Sequence, residues 1–173
     1  VRECSTSLSV CLSQTNFGWT SSVSGLQAEV DTGVAAPANL RYADVNADGL
    51  DDMVYTSAST WRWRLATGSG FGGEINTGVA DTNAASARII EWDGDGRWDL
   101  LIPSGGNVWQ VYRSNGSAYD GAFSTGIGSA AANSWYSAHD VNGDGRDDLI
   151  RLEDDAAFGL RVYARLREAA NFS

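Results

Sequence analysis

The nine residues Asp140-Val-Asn142-Gly-Asp144-Gly145-Arg146-Asp147-Asp148 return in closely similar form as Asp44 to Asp52 and as Glu91 to Asp99. In each copy oxygen-bearing side chains stand at positions 1, 3, 5 and 9, with glycine at position 6. That is the ligand spacing of a calcium loop of the D-x-[DN]-x-[DN]-G type. A chain that wraps one small cation must bend sharply between ligands 5 and 7, and Gly49, Gly96 and Gly145 occupy the bend. Position 7 would contribute only its backbone carbonyl, so its identity is free to vary, as Leu50, Arg97 and Arg146 do.

The flanks exclude an EF-hand, which needs a bidentate Glu at position 12 between two helices. Position 12 is Tyr55, Ile102 or Arg151, and each loop runs into a short apolar stretch, Met53 to Tyr55, Leu100 to Ile102 or Leu149-Ile150. These stretches read as strands, which leaves Asp52, Asp99 or Asp148 at position 9 as the closing ligand. Asp, Asn and Gly also build plain acidic turns. Against that alternative, four carboxylates within nine residues repel one another unless a cation neutralises them.

Composition frames this reading. A chain of 173 residues with twenty glycines, two prolines and no long amphipathic pattern suits one all-β domain of short strands and tight turns, spanning residues 1–173. The net charge of −10 argues against a nucleic-acid partner, which needs clustered Lys and Arg in excess. Ten of the acids stand at loop ligand positions, so three divalent cations, six positive charges, would bring the formal charge from −10 to −4. No apolar run is long enough to span a bilayer, and the start at Val1 carries no signal-peptide signature, as expected of a processed or excised chain. Cys4 and Cys11, seven residues apart in a segment able to form a small hairpin, are expected to pair, with two buried free thiols as the alternative. Calcium loops of this kind belong to the millimolar calcium outside cells, a setting that also permits disulfides.

In chain order, residues 1–30 hold no calcium loop but alternate as Leu8, Val10 and Leu12 before Phe17-Gly18-Trp19, which reads as a half unit. Three full units follow at 31–75, 76–123 and 124–173, each opening at a triplet: Thr32-Gly33-Val34, Thr77-Gly78-Val79 or Thr125-Gly126-Ile127. First loop ligands 47 and 49 residues apart give the period of four-stranded propeller blades or a similar array. Each unit has an entering strand, the loop, a leaving strand, a third strand near Trp61, Val108 or Leu160, and a weaker fourth. Trp61, Trp63 and Leu65 alternate with Arg62 and Arg64, and Leu160, Val162 and Ala164 with Arg161, Tyr163 and Arg165, so one face is expected to be buried and one charged. Asn115-Gly116, and Thr67-Gly68 as its counterpart, signal hairpin turns. The stretch Leu166 to Phe172 lacks such a turn, which leaves the last strand of the third unit open.

With loops of this type between strands and an aromatic-rich strand running into x-G-x-x-F, the sequence resembles the FG-GAP/VCBS repeat family over about residues 30–165. The resemblance implies calcium-stabilised β-propeller blades, as in the integrin α-subunit head and many bacterial surface and secreted proteins. Phe71-Gly72 and Phe17-Gly18 lack a following Gly-Ala-Pro, so an integrin-like ligand surface is not supported. The Val-Tyr-x-x-x-G style of strand is also similar to repeats beside RHS-type and insecticidal-toxin B components. The ligand set implied is Asp44, Asn46, Asp48, the Leu50 carbonyl and Asp52; Glu91, Asp93, Asp95, the Arg97 carbonyl and Asp99; and Asp140, Asn142, Asp144, the Arg146 carbonyl and Asp148. Glu91 replaces the usual Asp, and its longer arm makes the second site the least regular.

The expected architecture is thus all-β: about three and a half four-stranded propeller-type blades, with a calcium loop between the first two strands of each full blade. Since a closed propeller needs at least four blades, the chain is a part of a longer propeller, an open array, or one half of a homo-oligomer. The leading function is a non-enzymatic, calcium-stabilised binding or scaffold module, secreted or on a cell surface, with a protein or glycan partner. Carbohydrate recognition is the alternative, since exposed Trp faces stack on sugars. Trp61 and Trp109 fall at matching repeat positions and read as core, whereas Trp92 and Trp98, beside loop two, are better placed for exposure. A propeller hydrolase or lyase is less favoured: the single His139 adjoins Asp140, no nucleophile elbow or zinc pattern is present, and most acids belong to the loops.

Overall fold

The computed structural model describes residue 29 and residues 31–104, 108–128 and 134–167. Apart from Glu29 and Asp31 these belong to a unit spanning Thr32–Ser173. The half unit at the start, with Cys4, Cys11 and Trp19, lies outside the described residues except for Glu29.

Eleven strands among the described residues form three antiparallel sheets. Sheet one holds β1 (Ala38–Ala43), β2 (Asp52–Ser57), β3 (Thr60–Arg64) and β4 (Ile75–Ala80) in that order. Sheet two holds β5 (Arg88–Ile90), β6 (Asp99–Pro103), β7 (Val108–Tyr112) and β8 (Phe123–Gly128). Sheet three holds β9 (Ser134–His139), β10 (Asp148–Asp155) and β11 (Gly159–Arg165). One short 3-10 turn, Ala84–Ser86, links the first two sheets. Each acidic nonapeptide lies where its flanks place it, between the first and second strand of its sheet. Ala66 bridges to Phe71 and Ser114 to Tyr119 across turns at Gly68 and Gly116, both with positive φ, as the turn signals require.

Period-2 alternation decides the packing. Trp61 and Trp63 on β3 are fully buried, with the intervening and following arginines half-buried on the other face. Together with Val45 and Val54 they meet Ala84, Ala87, Leu100 and Ile102 of the next repeat in one core. Sheet two repeats the arrangement one step on: Leu101, Trp109 and Val111 meet Tyr136 and Leu149 of sheet three, and Trp109 contacts Tyr136 edge to face at 5.3 Å between ring centroids. The array is held by sheet-on-sheet burial between consecutive repeats.

Two expectations are corrected, and a third, the last strand of the third unit, falls mostly outside the described residues. The Thr-Gly-Val/Ile triplets at 77 and 125 do not open units; they sit in β4 and β8, the closing strands of sheets one and two. The Thr77 hydroxyl donates to the Trp61 carbonyl at 2.7 Å and the Thr125 hydroxyl to the Trp109 carbonyl at 2.8 Å, tying each triplet to the strand before it. Gly78 and Gly126 have φ of 76° and 67° where the register shifts, as in a bulge with glycine in the left-handed region. The sheets therefore close at Ala80 and Gly128 rather than at residues 75 and 123. Sheet three has three strands among the described residues, and Leu166 and Arg167 form no strand. Finally, β11 buries neither face: Leu160 and Val162 are each 68% exposed, because no sheet among the described residues stacks on them.

Trp61→Ala is expected to lower stability by about 3–5 kcal/mol in denaturant unfolding, the range for truncating a buried aromatic. Val162→Ala, at the register-equivalent but exposed place, should change it by less than about 0.5 kcal/mol.

Candidate metal centre

The loops share one backbone scaffold. In loop one the Asp44 carboxylate accepts the N–H groups of Asn46, Asp48 and Gly49 at 3.3, 3.2 and 2.8 Å. In loop three Asp140 accepts those of Gly143, Asp144 and Gly145 at 2.7, 3.3 and 2.9 Å. In loop two the longer Glu91 accepts Gly94 and Gly96 at 2.8 and 3.0 Å. Position 5 accepts the N–H of position 7 in every copy: Leu50 to Asp48 at 2.9 Å, Arg97 to Asp95 at 2.9 Å and Arg146 to Asp144 at 3.0 Å. Gly49, Gly96 and Gly145 have φ of 84°, 81° and 81°, the bend that the spacing requires. Position 4 is left-handed too, with Gly94 at 80°, Gly143 at 81° and, against its preference, Ala47 at 61°.

Position 9 has a duty that its spacing does not reveal. Asp52, Asp99 and Asp148 are fully buried, and both oxygens of each accept a backbone N–H. One donor is position 2 of the same loop, at 3.1 Å from Val45, Trp92 and Val141. The other lies beyond the third strand: Ala66 and Ser114 at 2.7 Å, and Arg167 at 2.6 Å. Each buried aspartate therefore fixes its loop to the far end of its sheet.

Loop two brings its acids together. Glu91, Asp93 and Asp99 each offer an oxygen, all within 4.8 Å of one another. Oxygens bound to one Ca²⁺ at about 2.3–2.6 Å lie at most about 5 Å apart, so the group fits a shared cation. Among the described residues Asp93 Oδ1 is buried without a hydrogen-bond partner, while Oδ2 accepts from Arg113 Nη1 at 3.4 Å. A buried carboxylate oxygen without a donor is costly unless a cation meets it. Burial pushes the Asp99 carboxyl up to about 8; the Ser114 N–H opposes this, and Asp93 and Glu91 add to it. Burial likewise raises Glu91 and Asp52. Asp95 pairs with Arg97 rather than joining the group.

Loops one and three do not converge in this way. The Asn46 amide donates to Asp48 at 2.9 Å and the Asn142 amide to Asp144 at 3.3 Å, and Arg146 also pairs with Asp144 at 3.3 Å. The loop with the irregular Glu91 is thus the one whose acids meet. Trp92 and Trp98 are half-buried rather than open, Trp98 against the first core and Trp92 against the second. The Arg167 guanidinium lies 4.3 Å over the Trp92 ring. His139 ends β9 and is exposed.

Contacts between loops went unread in the sequence. The Trp98 N–H donates to the Asp44 carbonyl at 2.9 Å, and the Asp147 N–H to the Glu91 carbonyl at 2.7 Å. Both donors stand at position 8 and both acceptors at position 1 of the preceding loop. The Asp147 carboxylate also accepts the Glu91 N–H at 2.9 Å, and the Ser114 hydroxyl donates to the Val45 carbonyl at 2.5 Å.

Two measurements follow from this geometry. Ala47→Gly relieves a left-handed alanine and should raise stability by about 0.5–1 kcal/mol, read from the denaturation midpoint. In chelator, the raised Asp99 makes the folded chain bind more protons than the unfolded chain between pH 3.8 and about 8. Stability should then fall as pH rises through that window, and thermal midpoints across it check the sign.

Residues 44–102 match the FG-GAP-like repeat family. No curated protein sequence matches the chain. Among solved structures, the fold is similar to a chain of the Photorhabdus luminescens Tc holotoxin pore, with TM-score 0.59 and 21% identity over 75% of this chain and 6% of that one. It is similar as well to chains of TcdB2-TccC3-Cdc42 (TM-score 0.57, 21% identity, 71% and 6% covered) and of TcdB2-TccC3 (0.57, 20%, 71% and 6%). At these identities the likeness is one of fold, and it agrees with the toxin-repeat resemblance of the strands. The chain spans 6% of the length of each of these chains.

Proposed function

We propose that this chain, which carries an FG-GAP-like repeat over residues 44–102, is a calcium-stabilised, non-enzymatic scaffold or binding module, a run of propeller-like blades within a larger secreted or surface-exposed assembly. The observation that carries the calcium reading is Asp93 Oδ1, buried and without a hydrogen-bond partner in a cluster with Glu91 and Asp99. Glu91, Asp93 and Asp99 would hold the ion, with the Arg97 carbonyl and Asp95 completing the set once Asp95 exchanges its arginine partner. Loops one and three would take the same ion through Asp44, Asn46, Asp48, Leu50 and Asp52, and through Asp140, Asn142, Asp144, Arg146 and Asp148, after the asparagine amides turn their oxygens inward. When bound, the ion supplies the positive charge that these carboxylates lack.

The same residues support a structural rather than a chemical role. The position-9 acids are spent on backbone N–H groups that connect loop to sheet, and a cation beside them tightens that junction. The likeness to short portions of very long toxin chains supports reading the module as one part of a larger array. Its partner is then a neighbouring part of the assembly, with a glycan as the less supported choice because Trp92 and Trp98 are partly covered.

An ion that binds only the folded chain adds about 3 kcal/mol per site when its concentration is near 100 times Kd. For a chain of this size that raises the melting temperature by about 6–12 °C. Differential scanning fluorimetry in millimolar Ca²⁺ and in chelator tests the proposal, with Asp93→Ala as the site-specific control. Equal midpoints in calcium and chelator would end the calcium reading.

A further inference from the structure

The two interfaces between consecutive repeats among the described residues share one main-chain bond and one apolar strand contact, and sheet three presents one half of that pair with no counterpart among the described residues. The position-1 carbonyls of loops one and two each accept a position-8 N–H from the following loop; the Asp140 carbonyl has no such donor there. Position 2 is covered in loop one, where Val45 is 0% exposed, and partly covered at Trp92; Val141 is 53% exposed. A Cβ built at Gly94 would lie 3.3 Å from Arg146 of the following loop, whereas one at Gly143 meets nothing within 4 Å.

The strands repeat the pattern in register. Thr56 pairs with Trp61, Pro103 with Trp109 and Leu152 with Val162, so Trp61, Trp109 and Val162 hold one place in the three sheets. Their exposures are 0%, 3% and 68%. The first two are covered by the second strand of the repeat that follows, through Leu100 and Ile102 or through Leu149.

We propose that this face of sheet three is a docking surface for one further repeat of the same kind, following in the same polypeptide. That repeat would bring a position-8 N–H to the Asp140 carbonyl and an apolar second strand to Val162 and Leu160. The occupant is specified by the two interfaces already filled, each formed by the next repeat in series. The inference rests on reading the chain as part of a longer array and does not require calcium.

The test extends the full chain by a copy of residues 81–128, and in a second version by a copy of residues 129–167, and measures hydroxyl-radical labelling of Leu160 and Val162 with and without calcium. Labelling should fall about tenfold in at least one extended chain, as exposure drops from 68% towards the 3% of Trp109. Val162→Arg should restore labelling of Leu160 there while leaving the melting temperature of the unextended chain unchanged. Unchanged labelling in both extensions overturns the proposal. Protection of the unextended chain that grows with protein concentration assigns the face to a second copy and overturns it equally. A protected face with a calcium-insensitive melting temperature would sink the calcium reading alone, and an open face with a calcium-dependent one would sink the docking surface alone.

Discussion

Asp52, Asp99 and Asp148 are buried carboxylates whose two oxygens each hold a backbone N–H from opposite ends of the repeat. That pair of bonds joins the acidic loop to the exit of the third strand in every repeat, and in loop two Arg97 Nε adds to it by donating to the Ser114 carbonyl at 3.1 Å. Charge-assisted bonds to a buried carboxylate are stronger than neutral ones, but they leave a negative charge in a poor solvent. The neighbouring acids in the loop raise that cost. In the proposed calcium reading, a cation at the loop and the buried aspartate would be two parts of one electrostatic arrangement: the aspartate orders the backbone, and positive charge would make its burial tolerable.

From this anchor the array follows. Fixing the loop sets the phase of the second strand, and with it which residues of the third strand face the next sheet. Trp61 and Trp109 then fill the space between consecutive sheets. Because sheet two contributes one face to the repeat before it and the other to the repeat after it, stability in such an array is a sum over neighbouring pairs.

The sequence made much of this legible, and the limits have physical causes. The loop spacing and its glycine bends were readable because both express rules within nine residues, and the Trp61/Trp63 alternation because a strand's period is two. Repetition gives a period but no phase, so Thr77-Gly78-Val79 and Thr125-Gly126-Ile127 looked like openings; the threonine bonds that make them endings run to strands sixteen residues earlier. The second donor to each buried aspartate is a main-chain group 14 to 19 residues away, and an N–H leaves no mark on the sequence. The alternation in β11 was real, but burial belongs to what lies opposite, which a strand's own residues do not encode.

The bonds from Trp98 to Asp44 and from Asp147 to Glu91 join main-chain atoms only. Their chemistry is independent of residue type, and proline at position 8 is the one replacement that deletes the donor outright. Side chains around the loops are thus free to diversify while the junction between repeats keeps a common geometry. A lineage built on such a joint can lengthen by duplication or exchange units between genes, since both junctions among the described residues meet through the same pair of main-chain atoms.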